Sequence, residues 1–232
     1  MPQKTQKSST ASTPSAQTGL GLKALMPGRT ERMLIVGTTG CGKTTLASRL
    51  LGASRSGCIL VIDPKCMYGG KNGEEGYRLI RRPGDLKKMR KLDTRIQFRP
   101  DEKHSTVWDY DEVYWWAYRR HDVTVYTDET FAVMNRSYSP NGLRACVTQG
   151  RELEICMIFA TQRPRGIDLR ILTEAENFAM FSLRHKDDRK RMAEFMGEEV
   201  MNPLPKFAFW HWRVGVEGPP VPMRLKLSGT GK

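Results

Sequence analysis

Eight residues, Gly37-Thr38-Thr39-Gly40-Cys41-Gly42-Lys43-Thr44, constrain this chain more tightly than any others. They fit the spacing G-x-x-x-x-G-K-[S/T] and stand between the apolar run MLIV and the helical stretch KTTLASRLLG. A strand feeding a glycine-rich turn and then a helix aims consecutive backbone N–H groups at one point, where the positive end of the helix dipole also lies. Such a cradle suits phosphate oxygens. In it Lys43 reaches the β- and γ-phosphates of a nucleotide and the Thr44 hydroxyl ligates Mg²⁺, while Thr45 completes the binding stretch that begins at Gly37. ATP and Mg²⁺ are the expected small-molecule ligands. Nothing in the loop separates adenine from guanine.

Strands and helices alternate from Met33 onward. CILVID, RIQF, VTVYTDE, EICMIFATQ and NFAMFSL read as strands, being short, apolar and β-branched or aromatic. KTTLASRLLG reads as a helix closed by Gly52, PGDLKKMRKL as a short basic helix and DYDEVYWWAYRR as an amphipathic one. SPNGLRACVTQGRE begins with turn chemistry and turns helical, and DDRKRMAEFMG is a helix stopped at Gly197. The segment KFAFWHWRVGVEGPPVPMRLKL alternates and breaks like a terminal β-hairpin. This order predicts an α/β fold with a mostly parallel sheet covered on both faces. Residues 1–25, rich in Ser, Thr, Gln, Lys and Pro, read as a disordered basic arm, and 26–232 as a single domain.

A nucleotide loop needs an acid on the metal side, and two strands end in one: Asp63 and Asp128. The pair Asp128-Glu129 is the better candidate. An aspartate can hold the Mg²⁺ water shell while the adjacent glutamate polarises an attacking water, an arrangement made for hydrolysis. A third strand places Gln162 at its carboxyl end, where open α/β sheets carry their ligand groups. A neutral amide there can bond both a γ-phosphate and the lytic water.

The set GTTGCGKTT, VIDPK, TDE and GRELEICMIFATQRP resembles the FtsK–HerA superfamily of ring-forming, DNA-pumping ATPases over about residues 33–190. The family's strand after the loop helix often ends in Asp-Pro-Lys, as at Asp63 to Lys65, and its sensor strand in Ala-Thr-Gln-Arg-Pro, as at Ala160 to Pro164. The resemblance implies a RecA-like sheet in which the Gln162 strand lies between the loop strand and the Asp128 strand. It implies a homo-oligomeric ring of five or six subunits, with an arginine finger donated by each neighbour. Arg151 matches the finger position by its spacing before Gln162; Arg184 and Arg189 are the alternatives. Without segments for a membrane span or a DNA-reading winged helix, the chain looks most like the genome-packaging ATPases of tailless, membrane-containing icosahedral viruses. Its partners would then be double-stranded DNA and a capsid vertex or portal-like protein, and its place the virion or host cytoplasm.

Charge supports a polyanionic partner. The net charge is +13, and the first 30 residues contribute four basic and no acidic side chains. Arg81, Arg82, Lys87, Lys88, Arg90 and Lys91 gather around one short helix, and Arg184 to Arg191 form a second group. Phosphate contacts of this kind are blind to sequence, as a packaging motor requires. Trp115, Trp116, Trp210 and Trp212 are expected in cores or interfaces rather than on bases. The five cysteines show no C-x-x-C spacing, and no apolar run reaches membrane-spanning length. Competing readings are a cellular or plasmid translocase of the same superfamily, a monomeric small-molecule kinase, and a nucleotide-gated DNA-binding module.

Overall fold

The computed structural model describes residues 25–90 and 94–226. Its centre is a nine-stranded sheet in the order β3-β4-β2-β5-β6-β1-β7-β8-β9. The strands are β1 (Arg32–Val36), β2 (Cys58–Ile62), β3 (Arg78–Ile80), β4 (Arg95–Phe98), β5 (Val123–Thr127), β6 (Ile155–Thr161), β7 (Asn177–Phe181), β8 (Ala208–Arg213) and β9 (Val221–Arg224). The first seven pair in parallel. β8 and β9 add antiparallel, forming the C-terminal hairpin expected from the sequence. As expected too, β6 lies between β1 and β5.

The parallel strands are apolar on both sides because both faces are covered. In β1, Leu34 and Val36 join one core while Met33 and Ile35 join the other. Helix α1 (Lys43–Ala53) seals the second core with Leu46, Leu50 and Leu51. The first core lies beneath α2 (Val107–Arg120), α3 (Asn141–Gln149), α4 (Leu169–Glu174) and α5 (Lys186–Met196). α2 starts in a reciprocal capping box, Thr106 with Asp109, which satisfies two donors that the first turn would leave unpaired.

Several elements differ from the sequence reading. Gly52 does not stop α1; the helix continues to Ala53 and is capped at Ser54. The basic helix contracts to a 3₁₀ segment, Pro83–Lys88, and Lys91 lies outside the described residues. Strand β3 and the short α4 carried no separate signal, each being too short to show a period. Of the proposed arm, residues 1–24 lie outside the described residues, and Leu25 is buried in the second core. Trp210 is buried with its indole N–H donating to the Asn202 carbonyl, Trp212 packs tilted against Phe178, and the Trp116 N–H donates to the Leu86 carbonyl. Among the described residues, no helix is long and apolar enough to cross a membrane.

Candidate nucleotide site

All seven parallel strands point their carboxyl ends to one edge, and the candidate site is assembled there. The loop after β1 is pinned to both flanking strands: Gly37 N–H donates to Thr161 O (3.2 Å) and Thr38 N–H to Ser182 O (3.0 Å). Lys43 Nζ donates to the carbonyls of Gly37 (2.9 Å) and Thr38 (3.0 Å), so the lysine closes the loop on itself. Gly42 is at φ +114°, and a Cβ there would come within 2.8 Å of Leu225 Cδ1. The backbone conformation there disfavours any side chain, and a Cβ would also crowd Leu225. Thr44 and Thr45 are exposed on the first turn of α1. The Cys41 thiol is buried in the second core, which pushes its pKa up; only the backbone of Cys41 is available to a ligand at the loop.

Asp128 and Glu129 follow β5, whose register pairs Thr127 with Phe159. Extending that pairing by two residues sets Glu129 beside Thr161 and Gln162. The Glu129 carboxylate accepts from Gln162 Nε2 (2.8 Å), the Gln162 N–H (3.3 Å), Thr161 Oγ1 (3.4 Å) and Lys65 Nζ (3.2 Å). The Gln162 amide oxygen accepts from Thr39 Oγ1 at 2.9 Å, which links the phosphate loop to the acid through one side chain. Glu129 is buried and takes a left-handed backbone, φ +60°. A non-glycine residue there stores strain of the kind found at functional centres. Asp128 is also buried. Its pKa is raised, chiefly by burial and further by the nearby Asp63 and Glu129 carboxylates, against the lowering effects of the Tyr126 hydroxyl and Lys43. Tyr126 OH donates to Asp128 Oδ1 at 2.7 Å and also bonds the Thr44 side chain, so the two candidate metal donors share a neighbour.

Asp63 is built for another task. It is fully buried and accepts from Met67 N–H, Tyr68 N–H, Gln97 Nε2 and Arg99 Nε, each at 3.0–3.1 Å. Arg99 also donates to the carbonyls of Gly70 and Lys71. Together they template the loop between β2 and β3, where a Cβ on Gly69 would meet Glu74 N at 2.2 Å. That rigid loop carries Lys65 to Glu129. Neither Lys65 nor Tyr126 was assigned a role from the sequence. The Asp-Pro-Lys at a strand end was the available signal for one, and a tyrosine in a fully buried strand, which needs a polar partner, for the other.

Arg151 lies in the turn between α3 and β6, at the amino edge of the sheet, in an ion pair with Glu176. Seven residues of β6 separate it from its own Gln162, about 20 Å of strand. It lies too far from the phosphate loop of its own chain to reach a nucleotide there. Arg184 is exposed beyond β7 at the carboxyl edge, and Arg189 is half-buried on α5 with one nitrogen donating to Leu183 O. In the first basic cluster, Lys87 pairs with Glu112 (3.4 Å) and Lys88 with Asp85 (3.1 Å), while Arg81 and Arg82 are exposed.

No family model matches the chain. The DNA packaging ATPase P9 of Enterobacteria phage PRD1 is 27% identical over 204 residues, spanning 80% of this chain and 82% of P9. Among solved structures, the genome packaging NTPase B204 of Sulfolobus turreted icosahedral virus 2, in complex with ATP-gammaS, matches with a TM-score of 0.70 at 13% identity. That match covers 86% of this chain and 99% of B204. The pCW3 conjugation coupling protein TcpA matches with a TM-score of 0.53 at 14% identity, over 84% of this chain and 60% of TcpA. The chain has the fold of a RecA-like P-loop NTPase, as its motifs implied. Its likeness to viral genome-packaging ATPases holds in both sequence and fold.

Proposed function

We propose that this chain is an ATP-hydrolysing motor that drives double-stranded viral DNA into a preformed capsid. The observation that carries the reading is the unbroken link from the phosphate loop through Thr39 and Gln162 to Glu129. A kinase transferring phosphate to a small acceptor has no need of a glutamate in that link; a hydrolase does. The similarity to P9 and B204 favours packaging over the cellular or plasmid translocase.

The residues present fit MgATP. The oxygens of Thr44 and Asp128 are hard donors around a shared neighbour, a set suited to a magnesium ion that keeps waters and takes phosphate oxygens as its remaining ligands. Bound there, the metal supplies charge neutralisation at the β- and γ-phosphate oxygens. Lys43 turns from the loop carbonyls to those same oxygens. Glu129 takes the proton of the water that attacks the γ-phosphorus, and Gln162 orients that water and senses the phosphate. Arg151 acts across a ring interface on the neighbour's γ-phosphate. The exposed arginines near β3 contact DNA phosphates without reading sequence.

The test is ATP turnover with and without duplex DNA. Wild type should be stimulated by DNA. Lys43→Ala should lose turnover and bind nucleotide weakly, whereas Glu129→Gln should bind normally and turn over about 10²-fold or more slowly, the scale of a lost general base. Normal turnover in Glu129→Gln would place the base elsewhere. For the ring, Arg151→Ala should bind ATP and be almost inactive alone, an arginine finger being worth roughly 10³–10⁵ in rate. Mixed with Lys43→Ala it should recover activity, since an intact pocket on one subunit then faces an intact finger on the next. A dead mixture of demonstrably mixed oligomers would exclude Arg151 and move the test to Arg184 and Arg189.

A further inference from the structure

We infer that Glu176 is a positioning residue for Arg151, holding its guanidinium ready for the nucleotide of the neighbouring subunit. The inference rests on Arg151 being the arginine finger, as proposed above. A long side chain on an exposed turn loses much rotamer freedom when it is fixed on a ligand. That cost falls if the side chain is already ordered at rest. Arg151 is half exposed and meets Glu176, whose side chain is mostly covered, in an ion pair. A surface ion pair of this kind adds little to stability, so the anchoring of its acidic member calls for another explanation.

Glu176 stands just before β7 and is fixed on three sides. Its N–H donates to Arg32 O (3.0 Å), its carbonyl accepts from the Val214 N–H (2.8 Å), and its Oε2 accepts from the Arg32 N–H (2.7 Å). The other carboxylate oxygen, Oε1, faces Arg151. The turn that bears Arg151 is tied to the same place. Arg32 is fully buried, and its guanidinium donates to the Cys146 carbonyl in the last turn of α3 (3.2 Å) and to Thr30 O. Past that helix the Glu154 N–H donates to Arg151 O (3.1 Å) and the Ile155 N–H to Gly150 O (2.9 Å). Root and tip of the arginine are thus both anchored at the amino end of β1, the strand whose other end carries the phosphate loop. A guanidinium has five N–H donors, and one carboxylate oxygen cannot occupy them all. The pair orders Arg151 and leaves donors for a phosphate.

The experiment places Glu176→Gln on one subunit or the other of the rescued mixture of Lys43→Ala with Arg151→Ala. Glutamine keeps the size and the acceptor for the Arg32 N–H but loses the charge that holds the guanidinium. On the Lys43→Ala subunit, which donates the finger, it should cut the recovered turnover on the order of tenfold, the cost of a misplaced charged group. On the Arg151→Ala subunit, which supplies only the pocket, it should change neither the recovered turnover nor ATP affinity. Glu176→Asp keeps the charge and should lose less than Glu176→Gln on the finger-donating subunit. A merely structural glutamate would lower turnover in both placements. Equal loss in the two, loss only on the pocket subunit, or no loss in either overturns the inference while leaving the finger in place. If the simple mixture shows no recovery in demonstrably mixed oligomers, the assignment of Arg151 itself fails, and the role of Glu176 with it.

Discussion

Asp63 and Asp128 end neighbouring strands of the same sheet, one residue past a paired Ile62 and Thr127, yet they live in opposite worlds. Asp63 is met by four hydrogen-bond donors, one of them on a buried arginine, all its capacity spent inside the protein. Asp128 is nearly as buried and accepts from the Tyr126 hydroxyl. Its charge is disfavoured by its surroundings, and its pKa is raised. The first carboxylate builds a loop; the second is the one proposed above for the metal side. A buried acid whose charged form is disfavoured costs stability, and groups with perturbed pKa values cluster at functional sites.

Neutralising each acid in turn breaks this comparison or sharpens it. The largest effect should come from Asp128→Asn, which removes the negative charge on the metal side. Turnover should fall by about 10²-fold or more while the fold survives, since even outer-shell partners of a metal are worth 10–100-fold. Near-normal turnover, with Mg²⁺ dependence retained, would deny Asp128 the metal.

Next comes Asp63→Asn, which leaves Arg99 buried without its counter-charge. Breaking a buried pair from one side should cost about 3 kcal/mol or more, read as a lower denaturation midpoint. The residual folded protein should still hydrolyse ATP per intact site. A variant as stable as wild type but inactive would reverse the two roles.

The smallest effect concerns stability and pH. Because the folded pKa of Asp128 lies above its unfolded one, the native state binds more protons across that window. Stability from this group therefore declines as pH rises through the window and stays reduced above it. At neutral pH Asp128→Asn should be no less stable than wild type, and slightly more so. The gain should shrink as pH falls towards 3.8, the ordinary aspartate value. Urea denaturation at several pH values in metal-free buffer would show it; a loss of stability at neutral pH would mean the charge is better solvated than its burial implies.

The sequence disclosed much of this through patterns with a short physical range. Loop spacing, apolar strand runs and the Asp128-Glu129 pair identified an α/β phosphate-binding fold, and the resemblance anticipated the central strand order β5-β6-β1. These are local signals: glycine conformations, periodicity and the residue just past a strand end. Between the two acids, the sequence could only prefer one. What separates Asp63 from Asp128 is Gln97 on β4 and Arg99 just past its end, some 35 residues downstream, and the pairing of β4 with β2 brings them into reach.

Only the tertiary structure decided which charged groups meet. Lys65 and Glu129 are 64 positions apart in the chain, and no spacing rule connects them. Arg151 and Gln162 are near in sequence, yet a strand running between them puts them at opposite edges of the sheet. The reason is that a parallel sheet aligns carboxyl ends contributed by distant segments, and it separates neighbours in sequence by the full length of a strand. The sequence determined what each strand end carries, and the order and register of the strands determined what it touches.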